Sequence, residues 1–270
     1  MSRVQFTKMV ASGNDFVVID NRKGIIPAAG LKGFASGICS RNYGVGADGL
    51  LTIEKSKKAD FRMRIINSDG SEAEMCGNGA RCIALYANLN RIAGRKMEFE
   101  TLAGIIEAGI SGRQIKLKMS DPKGLKLDIN LDISDSAYNV NFVNTGVPHA
   151  VIFCDRVEGL DVARIGKEVR YHSAFAPKGT NVDLVEPAGG NTLKVRTYER
   201  GVEGETLACG TGVTASAVIA AAVKGFRSPV TCMTRSGDKL KVYFRKDGND
   251  FTGVYLEGGA KTVFSGKYEK

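Results

Sequence analysis

Residues 75–82, MCGNGARC, and 208–215, ACGTGVTA, share a Cys-Gly-x-Gly core that places Cys76 and Cys209 133 residues apart. A cysteine in an electropositive setting works as acid, base, nucleophile or redox centre through its thiolate. The glycines that follow each cysteine let a ligand carboxylate approach the backbone closely. Gly13 and Gly146, Gly46 and Gly179, and Glu72 and Glu205 recur at the same offset of 133. Landmarks repeated in one order at one spacing indicate an internal duplication, in which each half supplies one cysteine from an equivalent place.

A helical stretch follows each motif, residues 80–89 in the first half and the alanine-rich 213–223 in the second, so both cysteines are expected at helix N-termini. Unpaired amides and the positive end of the dipole favour a thiolate there by about 1 kcal/mol. The expectation is a thiol pKa lowered from about 8.5 toward 7. The same amides form an anion site. Two such loops facing one carboxylate would put a sulfur on each side of the adjacent carbon. One thiolate then removes the α-proton from one face, the opposing thiol returns a proton to the other, and the helix amides carry the charge that develops on the carboxylate. Closure of two domains would exclude water. Two neighbouring thiolates repel, so the pair should hold one proton and titrate as a unit.

The other four cysteines, Cys39, Cys82, Cys154 and Cys232, read as small buried hydrophobes. No CxxC occurs and the only histidines are His149 and His172, so no metal site is expected from familiar spacings. Neither histidine recurs across the halves while the cysteines do, which disfavours a nucleophilic Cys-His hydrolase. Residues 44–49, GVGADG, match a dinucleotide fingerprint in form, but a helix precedes them and a strand, 50–53, follows. The fingerprint needs the opposite order, so this is a helix-to-strand turn.

The elements that must position these residues follow from periodicity. Strands are expected near residues 4–10, 16–19, 50–53, 61–66, 142–153 and 193–198, helices at 31–40, 80–89 and 213–223, and a strand meander over 97–119 broken at Gly104, Gly109 and Gly112. Residues 230–264 read as strands and turns that complete the sheets. Asp121-Pro122-Lys123-Gly124 is a turn sequence near the start of the second copy and is taken as the domain boundary. The chain of 270 residues, 43% apolar and 25% charged, has room for two cores and no disordered composition. Its net charge of +9 is scattered without basic runs, so no nucleic-acid partner is expected. The start MSRVQFTKMV lacks a signal core and the most apolar segment, 213–223, is too short to span a bilayer, so a cytoplasmic protein without membrane association is expected.

GNDF at Gly13, NSDGSEAEMCGNGARC at Asn67, GTN at Gly179 and YERGVEGETLACGTG at Tyr198 together closely resemble the diaminopimelate epimerase family over most of the chain. The resemblance implies an α/β fold of the α+β type, with two pseudo-symmetric domains, each a mostly antiparallel sheet wrapped around a central helix. Expected bounds are 1–120, joined by 258–270, and 121–257. Implied with it is inversion of one α-carbon of LL-diaminopimelate to the meso form, on the way to lysine and peptidoglycan, without pyridoxal phosphate, other cofactor or metal. Cys76 and Cys209 become acid and base; Gly77, Asn78, Gly210 and Thr211 present amides to the carboxylate at the reacting end. Asn14, Asn67, Asn181, Glu199 and Arg200 surround the distal end, where Arg200 can fork a carboxylate and Glu199 can receive an ammonium. His149 matches a histidine that supports the site.

Two departures from the family pattern stand out. Val147 replaces the asparagine of a GNPH motif, and Gly49 lies where many members carry a glutamine. Asn144 or water is expected to substitute for the missing amide. A proline or hydroxyproline racemase shares the two-cysteine logic, but its substrate has no second charged end for Glu199 and Arg200. A thiol redox switch or binding module would also explain matched cysteines. The partner is expected to be the small molecule alone, and monomer and homodimer both remain open.

Overall fold

The computed structural model describes residues 3–133 and 136–269. Contacts divide it into two compact units, residues 1–117 with 258–270, and residues 118–257.

The first unit begins with β1 (Arg3–Ala11), β2 (Asn14–Asp20), α1 (Leu31–Cys39), β3 (Gly49–Glu54) and β4 (Phe61–Asn67). It continues through β5 (Glu72–Ala73), α2 (Gly77–Leu89), β6 (Lys96–Thr101), β7 (Gly104–Ser111) and β8 (Gln114–Lys118). Next come β9 (Lys123–Ile133), β10 (Ser136–Asn144), β11 (Pro148–Phe153), α3 (Val162–Arg170), β12 (Asn181–Pro187), β13 (Thr192–Glu199) and β14 (Gly204–Thr206). The chain ends with α4 (Gly210–Val223), β15 (Val230–Met233), β16 (Lys239–Asp247), β17 (Asp250–Gly259) and β18 (Lys261–Glu269).

Strand pairing repeats between the units. In the first, β18, β1, β2, β3, β4, β6, β7 and β8 pair in that order, with β5 also on β4. The second runs β9, β10, β11, β12, β13, β15, β16, β17, with β14 on β13. The pairs β2/β3 and β4/β6, and their counterparts β11/β12 and β13/β15, are parallel. Each half ends on a strand that pairs with the first strand of the other half: β9 lies beside β10, and β18 beside β1.

A helix lies within each sheet. α2 packs on β1, β2, β3 and β7, and α4 on β10 to β13, β15 and β16. Every residue from Gly212 to Ala221 is buried, so a helix without a polar face is what this position selects. The parallel strands carry apolar side chains on both faces. Leu51 and Phe16 approach α2 at Gly79, while Val17, Ile19 and Leu50 pack with Phe34 and Ile38 of α1. α3 does the same in the second unit, with Ile165 and Val169 on Ile152 and Leu184.

Three sequence expectations need correction. Lys123 and Gly124 open β9 instead of forming a boundary turn. Register shifts against β10 fall beside Gly124, with φ 65°, and Asp128, with φ 56°, so the turn residues serve bulges in a long strand. Gly109 lies inside β7, and the breaks of the meander are at Gly104 and Gly112, both with positive φ. α3, an element the sequence pattern does not announce, starts behind an Asp161 N-cap and buries Val162, Ile165 and Val169 between charged residues.

Candidate functional site

Cys76 is the N-cap residue of α2, with extended φ/ψ of −141° and 119°, and its Sγ accepts the Gly79 amide at 3.5 Å. The sulfur stands where a Ser or Asp oxygen usually caps. Gly79 packs closely, since a Cβ there would lie 3.2 Å from Leu51 Cδ2. At Gly77 the same atom would meet nothing within 4 Å, which leaves that amide approachable.

A network of amides and ions holds this loop. Asn78 donates from Nδ2 to Asn14 Oδ1 at 2.5 Å, and Asn14 donates from Nδ2 to Asp48 Oδ2 at 3.0 Å. Arg81, fully buried, donates from Nη2 to Asn78 Oδ1 at 2.7 Å and to Ser12 Oγ at 2.8 Å. Arg41 bridges Asp15 and Asp48, and Lys8 pairs with Asp15 at 2.7 Å. Asn67 ends β4, exposed, with Nδ2 donating to Ser71 Oγ. Its strand partner is Gly49, where a Cβ would lie 3.0 Å from the Ile66 carbonyl oxygen, so the backbone around Gly49 is closed to a side chain unless that carbonyl shifts.

In the second unit Cys209 holds the N-cap position of α4, buried to 8% exposure. Its Sγ is 3.3 Å from Thr211 Oγ1, which is 2.9 Å from His149 Nε2. His149 Nδ1 is 2.7 Å from Asp183 Oδ2, and Thr197 donates to Asp183 Oδ1 at 2.7 Å. Gly212 packs directly on this carboxylate: a Cβ would fall 2.2 Å from Asp183 Oδ1. Asn181 donates to the Pro148 carbonyl and accepts the Arg200 amide at 2.8 Å. The Arg200 side chain reaches the Lys178 carbonyl at 3.3 Å, and Glu199 is half-buried at the end of β13. Asn181, Glu199 and Arg200 thus stand on adjoining ends of β12 and β13 within the unit that carries Cys209. Asn144, expected to replace the amide missing at Val147, accepts the Gly146 amide through Oδ1 at 2.9 Å, so its oxygen serves the turn.

Electrostatics depart from the helix-end expectation at Cys209. Burial pushes its thiol far up, and the Glu199 and Asp183 carboxylates add to this; the Thr211 hydroxyl and Gly212 amide oppose the shift without reversing it. Burial also raises the Glu199 carboxyl. The sequence reading missed Asp183, Thr197, Arg81 and Asp48. Two signals were available: Asp183 follows Asn181 at strand spacing, on one face, and Arg81 follows Asn78 by one helical turn. Cys39, Cys82 and Cys232 are buried and Cys154 half-buried; burial raises all four thiols, Cys39 to about 12. Among the described residues no group of three potential ligands could hold a metal ion, and no helix is long and apolar enough to cross a membrane.

A family model described as diaminopimelate epimerase matches residues 6–124 and 141–263, one stretch around each cysteine. The chain belongs to the diaminopimelate epimerase family. A diaminopimelate epimerase of Aquifex aeolicus is 43% identical over 276 residues, covering 98% of this chain and 97% of its own. One from Methanocella arvoryzae is 44% identical, covering 100% and 98%. Among solved structures, a phenazine biosynthesis protein of the PhzF family from Bacillus anthracis superposes with a TM-score of 0.75 at 17% identity, covering both chains in full. That likeness is one of fold.

Proposed function

We propose that this member of the family epimerises LL-2,6-diaminopimelate to meso-diaminopimelate by a two-base mechanism in which Cys76 and Cys209 exchange the roles of acid and base. One observation carries the reading: the two cysteines occupy the N-cap position of equivalent helices in two units of identical strand order. A structural cysteine has no reason to be kept twice at the one backbone position where a side chain meets free amides.

One sulfur removes the α-proton and the other protonates the opposite face. The amides of Gly77, Asn78, Gly210 and Thr211 stabilise charge developing on the adjacent carboxylate. Both proton transfers use the chain's own sulfurs, so the reaction draws on no cofactor or metal. The pair holds one proton in the free protein, and burial of Cys209, together with the carboxylates of Glu199 and Asp183, favours its residence there. Asn14, Asn67, Asn181, Glu199 and Arg200 receive the distal carboxylate and ammonium, a second charged end that a proline substrate lacks.

Proton NMR of LL-diaminopimelate with the reduced protein in heavy water tests this. Loss of the α-proton signal with meso product is expected, reduced about 10²- to 10⁴-fold in Cys76→Ala and in Cys209→Ala. Exchange of proline in place of diaminopimelate would keep the pair and remove the substrate; exchange of neither would favour a redox or binding role.

A further inference from the structure

The side chains that lead away from Cys209 form one directed line. The Thr197 hydroxyl donates a hydrogen bond to Asp183 Oδ1, and Asp183 Oδ2 faces His149 Nδ1, with the His149 and Asp183 side chains fully buried. An ionised carboxylate only accepts, so His149 carries a proton on Nδ1, and in the neutral ring Nε2 is then an acceptor. The nearer donor to that nitrogen is the Thr211 hydroxyl at 2.9 Å; the Asn181 amide nitrogen is 3.5 Å away and donates to the Pro148 carbonyl at 3.1 Å. Thr211 has one proton, and once it is given to His149 only lone pairs remain toward Cys209 Sγ at 3.3 Å. Sulfur then has to donate.

Packing fixes this line at both ends. The Thr145 hydroxyl donates to the Thr211 carbonyl at 3.0 Å, and Gly212 leaves room for nothing larger against Asp183. By strand register, the places of His149 and Asp183 in the first half are held by Phe16 and Leu51, both buried and apolar and both facing α2 at Gly79. The first half holds its cysteine loop through Asn78 and Asn14, amides that do not titrate at these pH values. Burying an imidazole and a carboxylate where the duplicate uses a phenyl ring and an isobutyl group is costly unless each is satisfied. Here each is satisfied, and in one direction.

We propose that Asp183 is a positioning residue for the reaction: acting through His149 and the Thr211 hydroxyl, it fixes Cys209 as a hydrogen-bond donor and so holds the resting proton of the cysteine pair on Cys209. This rests on the reading of Cys209 as one member of the acid/base pair. The titratable groups that bear on the sulfur are His149 on β11, Asp183 on β12 and Glu199 on β13. The free protein therefore presents unlike sulfurs, Cys209 as acid, and the Thr211 hydroxyl turns toward Cys209 only when the His149 tautomer changes.

The test is a pH titration of Cys209 in Cys76→Ala protein, following alkylation of the Cys209 peptide by iodoacetamide and taking the midpoint instead of the rate. In Asp183→Asn, Thr197 still donates to the side-chain oxygen, so the amide nitrogen faces His149 and donates to Nδ1. His149 then carries its proton on Nε2, Thr211 accepts it, and the hydroxyl proton turns to the sulfur. A fall of about one pH unit or more, a tenfold gain in thiolate at fixed pH, is expected. Removing a nearby negative charge would also lower the midpoint, so the decisive comparison is Asp183→Asn with Thr211→Val, where the relay fall disappears and a purely Coulombic one persists. Thr211→Ser should behave as Thr211. Nitrogen NMR of the unaltered protein, with His172→Gln to assign the two rings, gives a readout that needs no core variant: a bare Nε2 on His149 is expected, and a protonated Nε2 overturns the proposal. If Cys209→Ala retains epimerisation, the catalytic reading itself fails. If Cys209→Ala abolishes it while the Asp183→Asn midpoint is unmoved, or falls equally without the Thr211 hydroxyl, the positioning role alone is lost.

Discussion

Cys209 shows what a helix end does and does not decide. The motif ACGTG placed the cysteine at the first turn, and the structure has it there. Against the expected acidification, the Cys209 thiol is pushed up, first by loss of solvent and then by the carboxylates of Glu199 on β13 and Asp183 on β12, which together outweigh about one pKa unit of dipole. Their approach is long-range information, absent from any window around residue 209. Glycine at 212 has the same origin. Gly212→Ala must push its Cβ into Asp183 and should cost about 1–3 kcal/mol in overpacking, read as a lowered unfolding midpoint. Gly33→Ala supplies the contrast, since it adds a methyl to the first turn of α1 with nothing within 4 Å and should raise stability by about 0.5–1 kcal/mol. Equal effects from the two would remove packing as the reason for glycine at 212.

Among the elements, the hairpin of β1 and β2 carries the most polar of the supports beneath the Cys76 loop. Burial alone would raise the Asp15 carboxyl, but hydrogen bonds from Arg41 and Lys8 more than reverse this and hold it at about 2. A carboxylate depressed in the folded state contributes stability that is present above its unfolded value and lost as pH falls through the folded one. The loss for Asp15 therefore spans about pH 4 down to about 2. Asp15→Asn should lower stability by about 1–3 kcal/mol at neutral pH, since buried Lys8 loses its counterion, and should flatten the acid dependence. Denaturant midpoints measured across that window check both parts. From sequence, the strands of this hairpin were legible because Phe16, Val17, Val18 and Ile19 form an apolar run bounded by turn residues. The pairing of Lys8 with Asp15 was not, because a lysine in an alternating strand reads as its solvent side.

At the scale of the whole molecule, the duplication was legible in four landmarks, whereas the return of residues 258–270 to the first half was expected only from the family resemblance. Equal spacing of motifs says that two units exist; it is silent on which unit a terminal strand joins. β18 pairs with β1 in the first unit, although it follows the last strand of the second. It does so through more than backbone: Phe264 stands edge-on to Phe6 with centroids 5.9 Å apart, and Tyr268 edge-on to Phe34 at 5.8 Å. Such pairs add about 0.5–1.5 kcal/mol each beyond their buried area. Ending the chain at Gly259 should therefore do damage far from the cut in sequence. β1 would become a long edge bearing unpaired amides and the ring of Phe6, with Phe34 of α1 uncovered as well, a template for association. Hydrogen exchange of the shortened chain is expected to show loss of protection in β1, β2 and α1, with the strands around α4 still protected, together with a rise in apparent mass in solution. Unchanged protection of β1 would mean that its pairing with β2 suffices, and that β18 is held by the first unit without helping to hold it.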